Sequence, residues 1–339
     1  MSQLYPLQLH LELHERVWGA RSLDPIYPSE IIKEPVGEVW LTGDKCRVAN
    51  GPLAGRTLDE LSRQFGAELL GEAAPNSSRF PLLLKFLFPV EKLSVQVHPD
   101  DETAARVGEA CGKTECWYVL QATSSAQIGL GLKPGVTKAD VERAIRETRM
   151  EQLLNWIDLH PGDLIYVDAG TVHTIGPGAI LLEIQQNSDT TYRLYDYGRP
   201  RELHIDAGLK AVKESTHAGK VERRQPHTDK GKSQINLVTS PCFVVDKFSL
   251  SRPWEFRRPH QKRHSVWCLV GIRGSGRVSS DNAPPISLNC GTAVVVPATV
   301  EKFTVKPEPD LEFLCASLPI EKVEHPKTVL VENIATVAP

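Results

Sequence analysis

Short apolar runs, not long amphipathic stripes, dominate the pattern of this chain. Pro81–Phe88, Trp117–Gln121, Leu164–Val167, Ala179–Gln185, Phe243–Ser249, Ser265–Ile272, Thr292–Val296 and Leu311–Ala316 each read as a strand bounded by turn residues. Several are apolar at consecutive positions, which suits a sheet covered on both faces. Helical spacing is rarer. Thr57 reads as an N-cap for a helix over Leu58–Leu70, and Asp101–Val107 as a short helix. Thr137 precedes Val141, Ala144 and Ile145 at helical spacing, and Met150–Trp156 reads as a continuation of that helical region. The pattern predicts a mainly β protein with a few peripheral helices.

Length adds domain organisation. A chain of 339 residues exceeds one typical domain of about 150 residues. The stretch Lys213–Gln234 carries almost no apolar residue and reads as a linker. This predicts a unit over residues 1–225 and a strand-rich unit over 226–339; a solvated loop within one unit is the alternative. The net charge of −3 gives no basic excess for nucleic acid. The N-terminus lacks a basic segment followed by an apolar one, and no run reaches a membrane span, so a cytoplasmic protein without a membrane partner is expected. Seven cysteines without C-x-x-C spacing argue against a disulfide framework or a structural zinc knot.

Chemistry concentrates in two segments. In Leu93-Ser-Val-Gln-Val-His-Pro-Asp-Asp101, residues two apart on a strand share a face, so Gln96 and His98 project together beside Ser94. Glu115 can add a carboxylate and His173 a second imidazole, a donor set suited to a divalent ion. In the second segment, Gly162, Asp168, Gly170 and His173 have the spacing of the second cupin motif, with Asp168 where Pro is usual. A faint repeat pairs Gly162–His173 with Gly291–Lys302, and a protonated Lys302 cannot ligate where His173 can. Farther along, Arg193 and Arg199 are candidates for an anionic substrate, with Asp189 placed to orient Arg193. On residue type alone, surface salt bridges are the favoured reading of such residues.

Together these segments resemble type I mannose-6-phosphate isomerases of the short bacterial form. The matching stretches are Glu15–Gly19, Gly37–Trp40, Ala49–Thr57, Leu83–Phe86, Leu93–Asp101, Gly112–Glu115, Ala169–Gly176 and Glu183–Arg199, in the family's order. The resemblance implies two cupin-type β-barrel or jelly-roll domains, the first binding one zinc ion per chain and the second metal-free. It carries the zinc ligands onto Gln96, His98, Glu115 and His173, and the catalytic arginine onto Arg193. Sugar-phosphate contacts fall on Lys85, Ser94 and Arg199, where longer members have Lys at the last position.

The activity so implied interconverts mannose 6-phosphate and fructose 6-phosphate through a cis-enediol, with a phosphorylated hexose as partner and a monomer or weak homo-oligomer as assembly. Lys113 lies two residues from Glu115 and on an extended chain shares its side; lowered in pKa, it would serve as base. Zinc-bound hydroxide is the competing proton carrier. Two rival readings remain: a cupin dioxygenase or other sugar isomerase, and a sugar-binding cupin without turnover.

Overall fold

A computed structural model describes residues 4–76, 78–258, 264–328, 330 and 331. Three antiparallel sheets carry the fold, with short helices around them. The predicted strands appear close to their expected bounds; Leu164–Val167 matches at both ends, and Ala179–Gln186 extends one residue further. The expected Ser265–Ile272 starts two residues later as the longer strand Trp267–Ser280, and Leu311–Ala316 is part of Lys302–Ser317; the pair bends at bulges near Gly271 and Gly274.

The helical expectations fared unevenly. Thr57 caps a helix through a capping box with Glu60, and Thr137 does the same with Asp140. The first helix stops at Phe65, because Gly66 at φ +49° breaks it before a separate turn over Ala67–Leu70. The region Met150–Trp156 is not a continued helix. A single 3-10 turn over Met150–Leu153 leads into the strand Leu154–Asp158, which pairs with Gln127–Leu132.

Two sheets face each other in the N-terminal part. The larger runs Ala218–Lys220, Leu164–Val167, Glu115–Ala122, Ala179–Gln186, Leu82–Leu87, Val36–Trp40 and Glu12–Ala20. The smaller runs Tyr192–Tyr195, Val95–Val97, His173–Ile175, Gln127–Leu132 and Leu154–Asp158. Trp117, Leu87, Leu181, Ile128, Leu130 and Ile175 pack between them. The sheets are open layers and their hydrogen bonding does not close into barrels. Among the described residues, no helix is long and apolar enough to cross a membrane.

The third sheet holds the C-terminal strands around a core of Phe248, Phe256, Phe303, Phe313 and their aliphatic neighbours. Its outer strand is Leu7–Gln8, from the opposite end of the chain, paired with Ala293–Val296. The polar stretch expected as a linker is partly structured. Ala218–Lys220 extends the large N-terminal sheet, and His227–Asp229 pairs with Lys232–Thr239 in the C-terminal one. The faint repeat has a structural counterpart. Gly162 at φ +84° and Gly291 at φ +86° each turn into a four-residue strand, and a new strand starts at His173 and at Lys302. Lys302 points to the surface, where it pairs with Asp281 at 2.8 Å.

Candidate metal centre

Strand register gathers the site. His173 lies directly opposite Gln96, and Gln96 lies opposite Arg193 on its other side. Directly paired residues project from the same face, so one row of the small sheet presents His173, Gln96 and Arg193. His98 follows just after the Val95–Val97 strand. Glu115 comes from the facing sheet, as the first residue of Glu115–Ala122.

Loop contacts fix the two sides against each other. Lys113 N donates to Pro99 O at 3.0 Å, and Gly170 N donates to His98 O at 2.9 Å. Gly112 is required at this junction, because a Cβ there would meet the Asp100 carbonyl carbon and Asp101 N at 2.6 Å.

His98, Glu115 and His173 are buried, and each offers a donor atom within 4.8 Å of the others. Glu115 Oε1 lies 3.6 Å from His98 Nε2 and 3.4 Å from His173 Nε2. A tetrahedral ion with bonds of about 2.1 Å spaces its donors roughly 3.4 Å apart, so the donor set fits. Carbonyl oxygens set the tautomers. His98 Nδ1 donates to Thr190 O and His173 Nδ1 to Thr171 O, both at 3.0 Å. Each Nε2 is thereby left with its lone pair toward the centre.

Burial lowers the pKa of both imidazoles, for His98 with help from Lys113, which favours the neutral, ligating form. Gln96 sits at the fourth side, its amide nitrogen 3.2 Å from His173 Nε2 while its oxygen accepts from Ser94 Oγ at 3.1 Å. A half-turn of the amide presents the oxygen instead.

A ladder of alternating charges crosses the large sheet beside this centre. Lys113 Nζ lies 3.2 Å from Glu115 Oε2, 3.2 Å from His98 Nε2 and 3.5 Å from Glu183 Oε1. Lys85, paired in register with Glu183, stands 3.5 Å from both Glu183 and Glu38. Arg16 reaches Glu38 at 2.9 Å, and Trp40 Nε1 donates to the same oxygen at 2.8 Å.

The titrations follow from this packing. Burial pushes Glu38 up, but Lys85 and Arg16 outweigh it and hold the carboxyl at about 2. Burial raises Glu183 and Glu115 adds to it, against the pull of Lys85. For Lys113 burial acts downward, yet Glu115 and Glu183 together carry its pKa above the usual lysine value. These two carboxylates oppose the lowering that a lysine base requires.

These groups surround a cavity of about 440 Å³. Lys85, Ser94, Gln96, Lys113, Glu115 and Arg193 all line it. His98 and His173 sit behind its wall. Arg193 donates through Nη1 to Glu202 O at 2.7 Å, and its Nε makes no hydrogen bond. Arg199 is not brought into the cavity. Its guanidinium donates to the carbonyls of Lys92 and Asp196. Arg201 lines the cavity in its place, its fork gripping Asp196 at 2.6 and 2.7 Å.

Sequence reasoning also missed Arg16, Trp18, Glu38 and Glu183 as lining residues. A signal was present. A lone charge at the centre of the apolar runs around Glu38, Lys85 and Glu183 needs a partner or a site.

Comparison with known proteins agrees with this geometry. Residues 7–121 match the phosphomannose isomerase type I catalytic domain. The probable mannose-6-phosphate isomerase GmuF of Bacillus subtilis is 35% identical over 313 residues, covering 89% of this chain and 96% of that protein. The chain belongs to the type I phosphomannose isomerase family.

Within that family, the crystal structure of mannose 6-phosphate isomerase from Bacillus subtilis matches with a TM-score of 0.82 and 32% identity, over 92% of this chain and 99% of that one. A zinc-bound mannose 6-phosphate isomerase shares the phosphomannose isomerase fold at 15% identity and a TM-score of 0.70, over 91% of this chain and 98% of that one.

Proposed function

We propose that the protein is a zinc-dependent aldose–ketose isomerase that interconverts mannose 6-phosphate and fructose 6-phosphate through a cis-enediol. The observation that carries this reading is the convergence of His98, Glu115 and His173, with Gln96 beside them, on the wall of a cavity rich in cations. The four would hold one zinc ion per chain; when bound, it supplies Lewis acidity that polarises oxygens of the substrate.

The chain's own groups supply the rest. Arg193 shares a row with Gln96 and offers a fixed positive charge to the oxygen that gains charge in the enediol. Glu183 is a buried carboxyl with a raised pKa, suited to taking a proton from one carbon and returning it to the next. Lys113, held protonated 3.5 Å away, acts as its acid partner. Lys85 and Ser94 lie along the same cavity and position the sugar chain. Arg201, rather than Arg199, faces the phosphate end, because Arg201 lines the cavity and Arg199 does not.

The wider setting of this reading is a cytoplasmic enzyme that acts as a monomer or weak homo-oligomer on a phosphorylated hexose. Residues 1–225 carry the chemistry, and 226–339 form a metal-free unit. A coupled assay on mannose 6-phosphate tests the activity. Turnover should disappear with a chelator and return on adding zinc. Turnover that survives exhaustive chelation, or that prefers free mannose, contradicts the reading.

A further inference from the structure

The C-terminal sheet encloses a second cavity, of about 240 Å³, whose lining shares no residue with the metal centre. Its floor is built by register. On Val244–Leu250, Lys302–Ser317 and Trp267–Ser280, Asp246 aligns with Cys315 and Leu269, and Val244 aligns with Ser317 and Trp267. Phe248 and Phe313 form the next row, and Phe256 and Arg258 close the side. Such a cavity is smaller than the roughly 300–1,000 Å³ of sites for drug-sized ligands, so its occupant is small.

Charge decides the class of that occupant. Arg258 is 8% exposed and makes no ion pair among the described residues. Its donors go to backbone carbonyls: Val300 at 3.0 Å, Ser265 at 2.5 Å, Val296 at 3.2 Å and Pro297 at 3.0 Å. The guanidinium lies 4.6 Å from the centre of the Trp267 ring. An organic cation seeking an aromatic face would therefore meet a like charge already stacked there. Asp246 opposes an anion. It accepts from Asn236 Nδ2 at 3.2 Å, makes no ion pair among the described residues, and is pushed up in pKa by burial. What fits both constraints is a neutral molecule with apolar faces and hydroxyl donors. Its faces rest against the Phe rings, and its hydroxyls donate to Asp246 and exchange hydrogen bonds with Gln234.

We propose that this cavity is a second ligand site, one that takes a neutral monosaccharide or polyol. It stands apart from the metal centre, and its test does not depend on turnover.

Methyl α-mannopyranoside is a suitable probe, being neutral, ring-locked and without phosphate. Saturation-transfer NMR and calorimetry on the full-length zinc-loaded protein should give saturable binding, with Kd on the order of 1 mM. Asp246→Leu should weaken it about tenfold or more, through loss of a charged acceptor, while isomerase turnover and Tm stay near wild type. Arg193→Ala should leave binding unchanged. If Asp246→Leu fails to fold, Gln234→Leu should still weaken binding severalfold. No saturable binding overturns the proposal. So does binding lost in Arg193→Ala but kept in Asp246→Leu, or tighter binding of tetramethylammonium or benzoate.

Discussion

Glu38 carries the clearest electrostatic consequence of any single residue. Its folded pKa is about 2, below the ordinary glutamate value of 4.5. A carboxyl depressed in this way stabilises the fold above its unfolded pKa, and the contribution fades as pH falls through about 2. The difference corresponds to about 3 kcal/mol at neutral pH. Glu38→Gln should lower stability by about that amount at pH 7 and flatten the acid limb between its two pKa values, measured by urea unfolding across pH. An unchanged acid limb contradicts the ladder of charges.

Among site residues, His173→Ala should lose zinc and turnover together. Arg193→Ala should retain zinc while kcat falls about 10²–10³-fold, as for loss of one charge-stabilising donor. Near-normal turnover in Arg193→Ala would remove it from the mechanism. The grouping of His98, Glu115 and His173 was expected from the sequence, with strand alternation bearing on His98 and the Gly162–His173 spacing on His173. Arg201 was not. Arg199 and Arg201 lie on the same segment after Tyr192–Tyr195, and only the folded path decides which guanidinium enters the cavity.

At the scale of elements, the strands were readable and the bends were not. Leu82–Leu87 and Leu164–Val167 announce themselves by apolar content and flanking turns. The stop at Gly66 was passed over because Leu69 and Leu70 keep the apolar spacing beyond it. Leu154–Trp156 reads as part of the helical region Met150–Trp156 because its apolar residues follow Met150 at spacings that suit either form. Pairing with Gln127–Leu132 settles it as a strand.

The capping box at Thr57 predicts that Thr57→Ala costs about 1 kcal/mol, measurable by thermal unfolding. Gly112 has a larger role. Its hydrogen atoms are all that fit between the loop after His98 and the approach to Glu115. Gly112→Ala should shift that loop and weaken zinc retention severalfold in a chelator competition, with the fold largely kept. Unaltered retention would show that the loop yields without moving the donors.

At the scale of the molecule, the sequence suggested two units joined by a linker, and the structure ties them closely. Leu7–Gln8 completes the edge of the C-terminal sheet, and one core runs from Tyr166 and Phe80 to Phe243, Val266 and Val295. The polar stretch keeps its side chains mostly exposed while its backbone pairs with both sheets. Such a shared core should melt as one cooperative transition in calorimetry; two resolved transitions would show independent units.

The central claim concerns a single point in space, and anomalous diffraction at the zinc edge from crystals of the zinc-loaded protein addresses it most directly. One peak per chain is predicted, at about 2.0–2.2 Å from the Nε2 atoms of His98 and His173, a carboxylate oxygen of Glu115 and Oε1 of Gln96. A peak held by other side chains, or none at full zinc loading, would contradict the account.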